Sequence, residues 1–133
     1  MKRFFSLILI FTLILCLCSC GRYVSSYSAV GLIRNQTTHS CEASFYSLKG
    51  QLVFKIKSPV SEELCELQCD TEAEEGELIV YYDVDGTKQE LTRVKAGEAV
   101  DDFEAFVEGG KTVYIIIEAA EKSRGKISVE IDD

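Results

Sequence analysis

The sequence predicts an all-β fold: a single antiparallel β-sandwich of about seven to nine strands, preceded by a cleavable helical signal peptide. Two observations carry that expectation. Runs such as Leu52-Val53-Phe54-Lys55-Ile56-Lys57 alternate apolar and polar residues with period two. Pairs containing Gly or Pro interrupt these runs at intervals of about 8–12 residues, the spacing of strands in sandwiches and barrels.

The chain opens Met1-Lys2-Arg3, then runs apolar from Phe4 to Cys18. Two cations before a short greasy stretch make the n- and h-regions of a secretory signal. The run is 15 residues by count, short of the roughly 20 that a spanning helix needs. Residues 1–19 are therefore read as signal peptide, residues 20–26 as a polar tether and residues 27–133 as the sandwich. Within the sandwich, Tyr27 to Ile33 reads as a first strand and Asn35 to Ser40 as a loop. Cys41 to Leu48 is a strand closed by Lys49-Gly50. The next, Gln51 to Lys57, sets Leu52, Phe54 and Ile56 on one face and Lys55 and Lys57 on the other, and Ser58-Pro59 ends it.

Leu64 to Ala73 puts Cys65, Leu67 and Cys69 on one face and Glu66, Gln68 and Asp70 on the other. A helix over Ser61 to Glu75 is its rival, since Ser61-Glu62-Glu63-Leu64 could open one; the continued alternation favours the strand. Glu75-Gly76 reads as a turn. Leu78 to Val84 follows, with Leu78, Val80, Tyr82 and Val84 facing inward. Asp85-Gly86 is a hairpin signal, Lys88 to Val94 the return strand, and Ala96-Gly97 its end. Asp101 to Val107 holds Phe103 and Phe106, and Gly109-Gly110 turns the chain. Thr112 to Ala119 directs Val113, Ile115, Ile117 and Ala119 inward, with Ile116 apolar as well, which marks a central strand. Arg124-Gly125 reads as a turn before Ile127, Val129 and Ile131.

Leu17-Cys18-Ser19-Cys20 resembles the lipobox of bacterial lipoproteins. The resemblance implies cleavage before Cys20 and a diacylglycerol thioether on its sulfur, so that the mature chain is lipid-anchored at the extracytoplasmic face of the cell membrane. Two or more acyl chains give durable anchoring where one does not. Gly21 follows the modified residue, so the familiar Asp cue for inner-membrane retention is missing. The stretch from Cys65 to Asp133 resembles small bacterial lipoprotein β-sandwich domains of unknown function. That likeness rests on Glu75-Gly76-Glu77-Leu78, on Asp83-Val84-Asp85-Gly86, and on the Gly109-Gly110-Lys111 and Gly125-Lys126-Ile127-Ser128-Val129 segments. It implies a fold and no activity.

Without residues 1–19 the chain has 114 residues, 12 cations and 22 acids, a net charge of −10. Nucleic acid, which needs cationic surface, is excluded as a partner. Cys16 and Cys18 leave with the signal and Cys20 is lipidated, so Cys41, Cys65 and Cys69 remain in a compartment where disulfides persist. Three is odd, so at most one bridge forms among them. Cys65 and Cys69 on one strand lie roughly 13 Å apart, whereas a bridge wants about 5.5 Å between Cα atoms. A bridge would join Cys41 to Cys65 or Cys69. A three-thiolate metal site lacks the usual CxxC knuckle, and no cofactor is expected.

The chemistry on offer is sparse. His39 is the only histidine; paired with Cys41 it would make a thiol–imidazole dyad. Acidic pairs Glu62/Glu63 and Glu74/Glu75 are expected by chance at this acid content. Asp83, Asp85 and Gly86 match the start of a calcium loop but read more simply as a type I′ turn; Asp101, Asp102 and Glu104 offer a weaker calcium alternative or a solvated face. Tyr81 and Tyr114 fall opposite the inward residues of their strands, where they would form either a stacking platform for sugar or peptide or simple cross-strand packing. The expectation is a non-enzymatic binding or interaction module at the cell envelope, held to the membrane by lipid, with an envelope protein or glycan as partner. An envelope enzyme using Cys41 or acidic residues, and a structural spacer, are the alternatives.

Overall fold

A computed structural model describes residues 23–132. Residues 1–19, read as a signal peptide, and Cys20 lie outside the described residues. Eight strands form one antiparallel sheet: β1 (Ser26–Val30), β2 (Ile33–Gln36), β3 (Ser40–Lys57), β4 (Leu64–Glu75), β5 (Glu77–Asp83), β6 (Lys88–Lys95), β7 (Ala99–Glu108) and β8 (Thr112–Asp132). The segment with a rival helical reading is strand β4. The all-β sandwich expected from the alternation is the fold observed, with its inward residues forming one buried cluster.

The construction is a sheet folded over a crease. β3 and β8 pair along their whole lengths, with register shifts between Phe45 and Gly50. On its other side β8 pairs first with β5, through Tyr114–Glu118, and then with β4, through Arg124–Asp132. β4 and β5 are thus one ribbon kinked at Gly76, and β7 and β6 flank them as another, broken near Gly97. β2 and β1 run as a fifth ribbon along β3 with Gly31 between them. One layer holds β2, the first half of β3, the second half of β8, β4 and β7. The other holds β1, the second half of β3, the first half of β8, β5 and β6.

Each ribbon therefore carries a glycine near the crease, and two of those glycines correct the sequence reading. Lys49-Gly50 and Arg124-Gly125 were expected to be turns between strands; both lie inside single strands of 18 and 21 residues. Glycine in a strand marks a bend or a close backbone approach. At Gly125 a Cβ would collide with the Glu72 carbonyl oxygen and come within 3.1 Å of Leu78 Cδ1. At Gly76, where φ is +75°, it would collide with Ser123 Oγ. Ser123 is buried at that corner, bonding Glu77 N–H at 3.2 Å and the Glu121 carbonyl at 2.9 Å, and so pins β8 to the kink between β4 and β5.

Folding over brings Cys41, Ala43, Phe45, Leu67 and Ile131 of one layer against Leu52, Phe54, Ile115, Ile117 and Val80 of the other. Each fully buried large side chain contributes about 1.5–3 kcal/mol as an upper estimate. The layers also close along an edge: Lys57 N–H donates to the Thr38 carbonyl at 2.7 Å, and the Arg34 guanidinium lies 4.7 Å from the Phe54 ring centroid. The hairpin at Asp85-Gly86 is present, but β5 and β6 part at Asp83 and Lys88, leaving a four-residue loop rather than the two-residue type I′ turn expected. Asp83 organises it, its Oδ1 accepting Gly86 N–H at 2.6 Å.

Candidate functional site

Tyr81 and Tyr114 share a face, as their alternation requires. Tyr81 pairs with Ile116 and Asp83 with Tyr114, so the two rings are diagonal neighbours on the outer face of the β5–β8–β3 layer. They do not form an open platform. Tyr23 packs edge-on against Tyr114, with ring centroids 5.5 Å apart and planes at 60°. Lys88 Nζ stands 4.2 Å above the Tyr81 ring and bonds Glu118 at 2.5 Å. Ile116, between the two tyrosines on that face, is fully buried. The chain itself roofs this face, and cross-strand packing accounts for both rings.

The roof is the segment read as a free tether. Tyr23 donates its hydroxyl to Asp83 Oδ2; Ser25 Oγ accepts Val53 N–H at 3.0 Å; the Val24 carbonyl accepts from Gln51 Nε2 at 3.1 Å. Packing therefore already holds at Tyr23, within the stretch 20–26 read as a tether. Burial, then the bond to Asp83 and that carboxylate's charge, push the Tyr23 phenol up from its ordinary 10.0 to about 12. Its proton leaves the unfolded chain before it leaves the fold. The contribution of this clasp is therefore full below pH 10 and is lost as pH rises through 12. In urea titrations at successive pH values, Tyr23→Phe is expected to flatten the decline of the midpoint across that window. An unchanged slope would show that the phenol does not carry it.

The cysteine chemistry also differs from expectation. No disulfide joins Cys41, Cys65 and Cys69. Cys41 and Cys69 sit opposite Val129 from its two sides, so two inter-strand spacings, about 9.6 Å, separate them, well beyond a bridge's span. Cys65, past the end of the β4–β8 pairing, is farther still and points its Sγ at the Pro59 carbonyl, 3.6 Å away. Burial and the neighbouring Cys69 push the Cys41 thiol up to about 12; burial, with Asp70 adding to it, pushes Cys69 up to about 11. Such thiols stay protonated at neutral pH and are poor nucleophiles. His39 is exposed and bonds the Lys57 carbonyl through Nδ1 at 2.7 Å, whereas Cys41 faces the core, so no dyad forms. Asp83 is buried and braces the loop, its Oδ1 accepting Gly86 N–H and its Oδ2 the Tyr23 hydroxyl. Among the described residues no group of three or more His, Cys, Asp or Glu is placed to hold a metal ion.

A concave feature lies on the opposite outer face, across β2, β3, β8 and β4. Two ladder rows build it. Asn35, Glu42, Ser128 and Asp70 stand side by side in one, Ile33, Ser44, Lys126 and Glu72 in the next. Ser44 and Ser128 are short and central, with longer side chains to both sides, so the sheet surface dips into a groove of about 450 Å³. Asp101 of β7 closes one side, and Ile33, 64 % exposed, gives an apolar lip at the other. Asn35 Nδ2 donates to Glu42 at 3.0 Å and Lys126 lies 3.4 Å from Glu72, which holds donors and acceptors in fixed positions around the floor. The sequence reading found only Asp101 of this set, and for calcium. The signal it passed over is the run of outward positions Glu42/Ser44, Asp70/Glu72 and Lys126/Ser128, each opposite buried neighbours. Strand pairing alone makes them one surface.

No family model and no curated protein matches the chain. Among solved structures it is similar to a mutant of a family 29 carbohydrate-binding module complexed with mannohexaose, at 14 % identity, covering 81 % of this chain and 79 % of that one, TM-score 0.43. It is also similar to a Podospora anserina GH26-CBM35 β-(1,4)-mannanase, at 11 % identity, covering 84 % of this chain and 28 % of that one, TM-score 0.43. The Drosophila melanogaster CENP-C cupin domain aligns at 17 % identity over 84 % of this chain and 83 % of its own, TM-score 0.32.

Proposed function

We propose that the mature chain is a non-catalytic binding module, anchored through lipid on Cys20 at the extracytoplasmic face of the cell membrane, whose groove between Ile33 and Asp101 takes a neutral, hydroxyl-rich ligand of the glycan class. The observation that carries this reading is the groove's floor and walls. Small hydroxyl side chains lie beneath, and alternating amide, carboxylate and ammonium groups stand at the sides, the inventory that bonds sugar hydroxyls as both donor and acceptor. Four carboxylates against one lysine leave the groove negative, which disfavours anionic polymers. The buried thiols and the engaged His39 support a module without a nucleophile.

The test is titration calorimetry of the full chain in detergent micelles against neutral oligosaccharides. Ser128→Phe fills the floor from an exposed position and leaves the core untouched. Binding is expected in the parent chain and a loss of at least about tenfold, 1.4 kcal/mol, in the variant. Equal binding by both, or none to any neutral oligosaccharide by the parent, would overturn the assignment of the groove.

A further inference from the structure

The anchored terminus and the packed domain are separated by very little chain, and that separation bears on how the domain sits. Tyr23 is fixed on the outer face beside Lys55, Tyr114 and Asp83. Cys20 is three residues earlier, so the lipid attachment lies within roughly 10 Å of Tyr23 whatever path residues 20–22 take. The domain cannot rise on a stalk. It has to meet the lipid with the part of its surface nearest Tyr23.

That part is the end of the sandwich opposite the crease. From Ser26 the chain runs back along β3 past Gln51 and Val53 to Lys55, toward the strand's last residues. β3 ends there at Lys57, joined through Ser58 N–H to the Lys111 carbonyl at the start of β8. The Pro59 carbonyl accepts Gly110 N–H, which ties the β3–β4 connection to the β7–β8 turn at the same end. Three large apolar side chains are exposed on this rim: Val60 at 93 %, Leu64 at 60 % and Phe106 at 61 %. Leu64 opens β4, and Phe106, near the end of β7, is its diagonal neighbour through the Leu64–Glu108 and Glu66–Phe106 pairs. Lys57 and Lys111 flank them, as do Glu62, Glu63 and Glu108. The mixed charge gives no strong preference for anionic headgroups, so apolar contact is what the rim offers.

We propose that this rim, carrying Val60, Leu64 and Phe106, rests in the interfacial layer of the membrane to which Cys20 holds the chain. The occupant is the bilayer itself. The inference rests on the lipid-anchor reading above and adds an orientation to it: the crease points away from the membrane, and the groove opens sideways along it.

The chain contains no tryptophan, so single tryptophans report position without background. Val60→Trp and Phe106→Trp probe the rim; Tyr46→Trp, at an exposed residue of the crease, is the control. Each full-length lipidated variant is reconstituted into phosphatidylcholine vesicles, with and without chain-brominated phosphatidylcholine. Mass spectrometry confirms a chain that starts at residue 20 with acyl mass, flotation then reads the anchor, and bromine quenching reads the orientation. Flotation with most of the emission lost at positions 60 and 106, and little lost at 46, is the expected result. Flotation with no quenching at 60 and 106, or with equal quenching at all three, overturns the orientation while the anchor stands. Failure to float overturns the anchor and this inference with it.

Discussion

A Gly125→Val chain is expected to lose its cooperative unfolding transition at room temperature. Valine is among the best strand formers and glycine among the worst, so propensity alone predicts a gain at this position inside β8. Space predicts the opposite. The added Cβ would meet the Glu72 carbonyl oxygen well inside van der Waals contact, with Ala73 Cα at 3.2 Å behind it. The obstacle is backbone on a paired neighbour strand and cannot rotate away. Relieving it means parting β8 from β4 at the crease, where Ser123 holds the corner. A loss above ~4 kcal/mol is the scale for such damage, a large share of the ~5–15 kcal/mol that stabilises a domain. Gly97→Ala is the control: φ is +84° there but nothing lies within 4 Å of the new Cβ, so a loss near 1 kcal/mol is expected. Urea titration followed by circular dichroism separates the two. A Gly125→Val chain as stable as the Gly97→Ala chain would show that the close approach at Gly125 is not what shapes the sheet.

The second large effect concerns Cys20. The parent protein is expected to begin at residue 20 and to carry acyl mass there, and Cys20→Ala to carry none. Every buried methylene of the anchor contributes ~0.8 kcal/mol of membrane affinity, so its loss removes the lipid's hold entirely. Mass spectrometry is the right readout rather than fractionation, because an unprocessed variant would still be held by the apolar run from Phe4 to Cys18. A parent chain that starts at Met1, or starts at residue 20 without added mass, would refute the lipoprotein reading.

The strand content of this domain is legible in the sequence because period-two alternation reports burial directly. Leu52, Phe54 and Ile56, and Val113, Ile115 and Ile117, are all in the core. What is not legible is the number and length of the strands. Gly50 and Gly125 look like turn residues, yet they sit where a neighbouring backbone passes too close for a side chain, and only the pairing partner reveals that. Gly76 looks like a turn and is a kink between two strands that share the partner β8. The groove was hidden for the same reason. Glu42, Asp70 and Lys126 are far apart in the chain and become neighbours only through register. Tyr81 and Tyr114 were correctly placed together, but no local pattern showed that Tyr23, 91 residues before Tyr114, would lie across them.

The position of β8 has a consequence for how the chain reaches its folded state. This strand is the last of the eight described, yet it sits in the middle of the sheet, with β3 on one side and β4 and β5 on the other. Until it arrives, β3 has no partner for its inner edge, and the halves of the sheet have nothing to bridge them. Pairings between strands so far apart in the chain are slow to form. On the export route proposed above, that delay would keep the domain open until the chain has crossed.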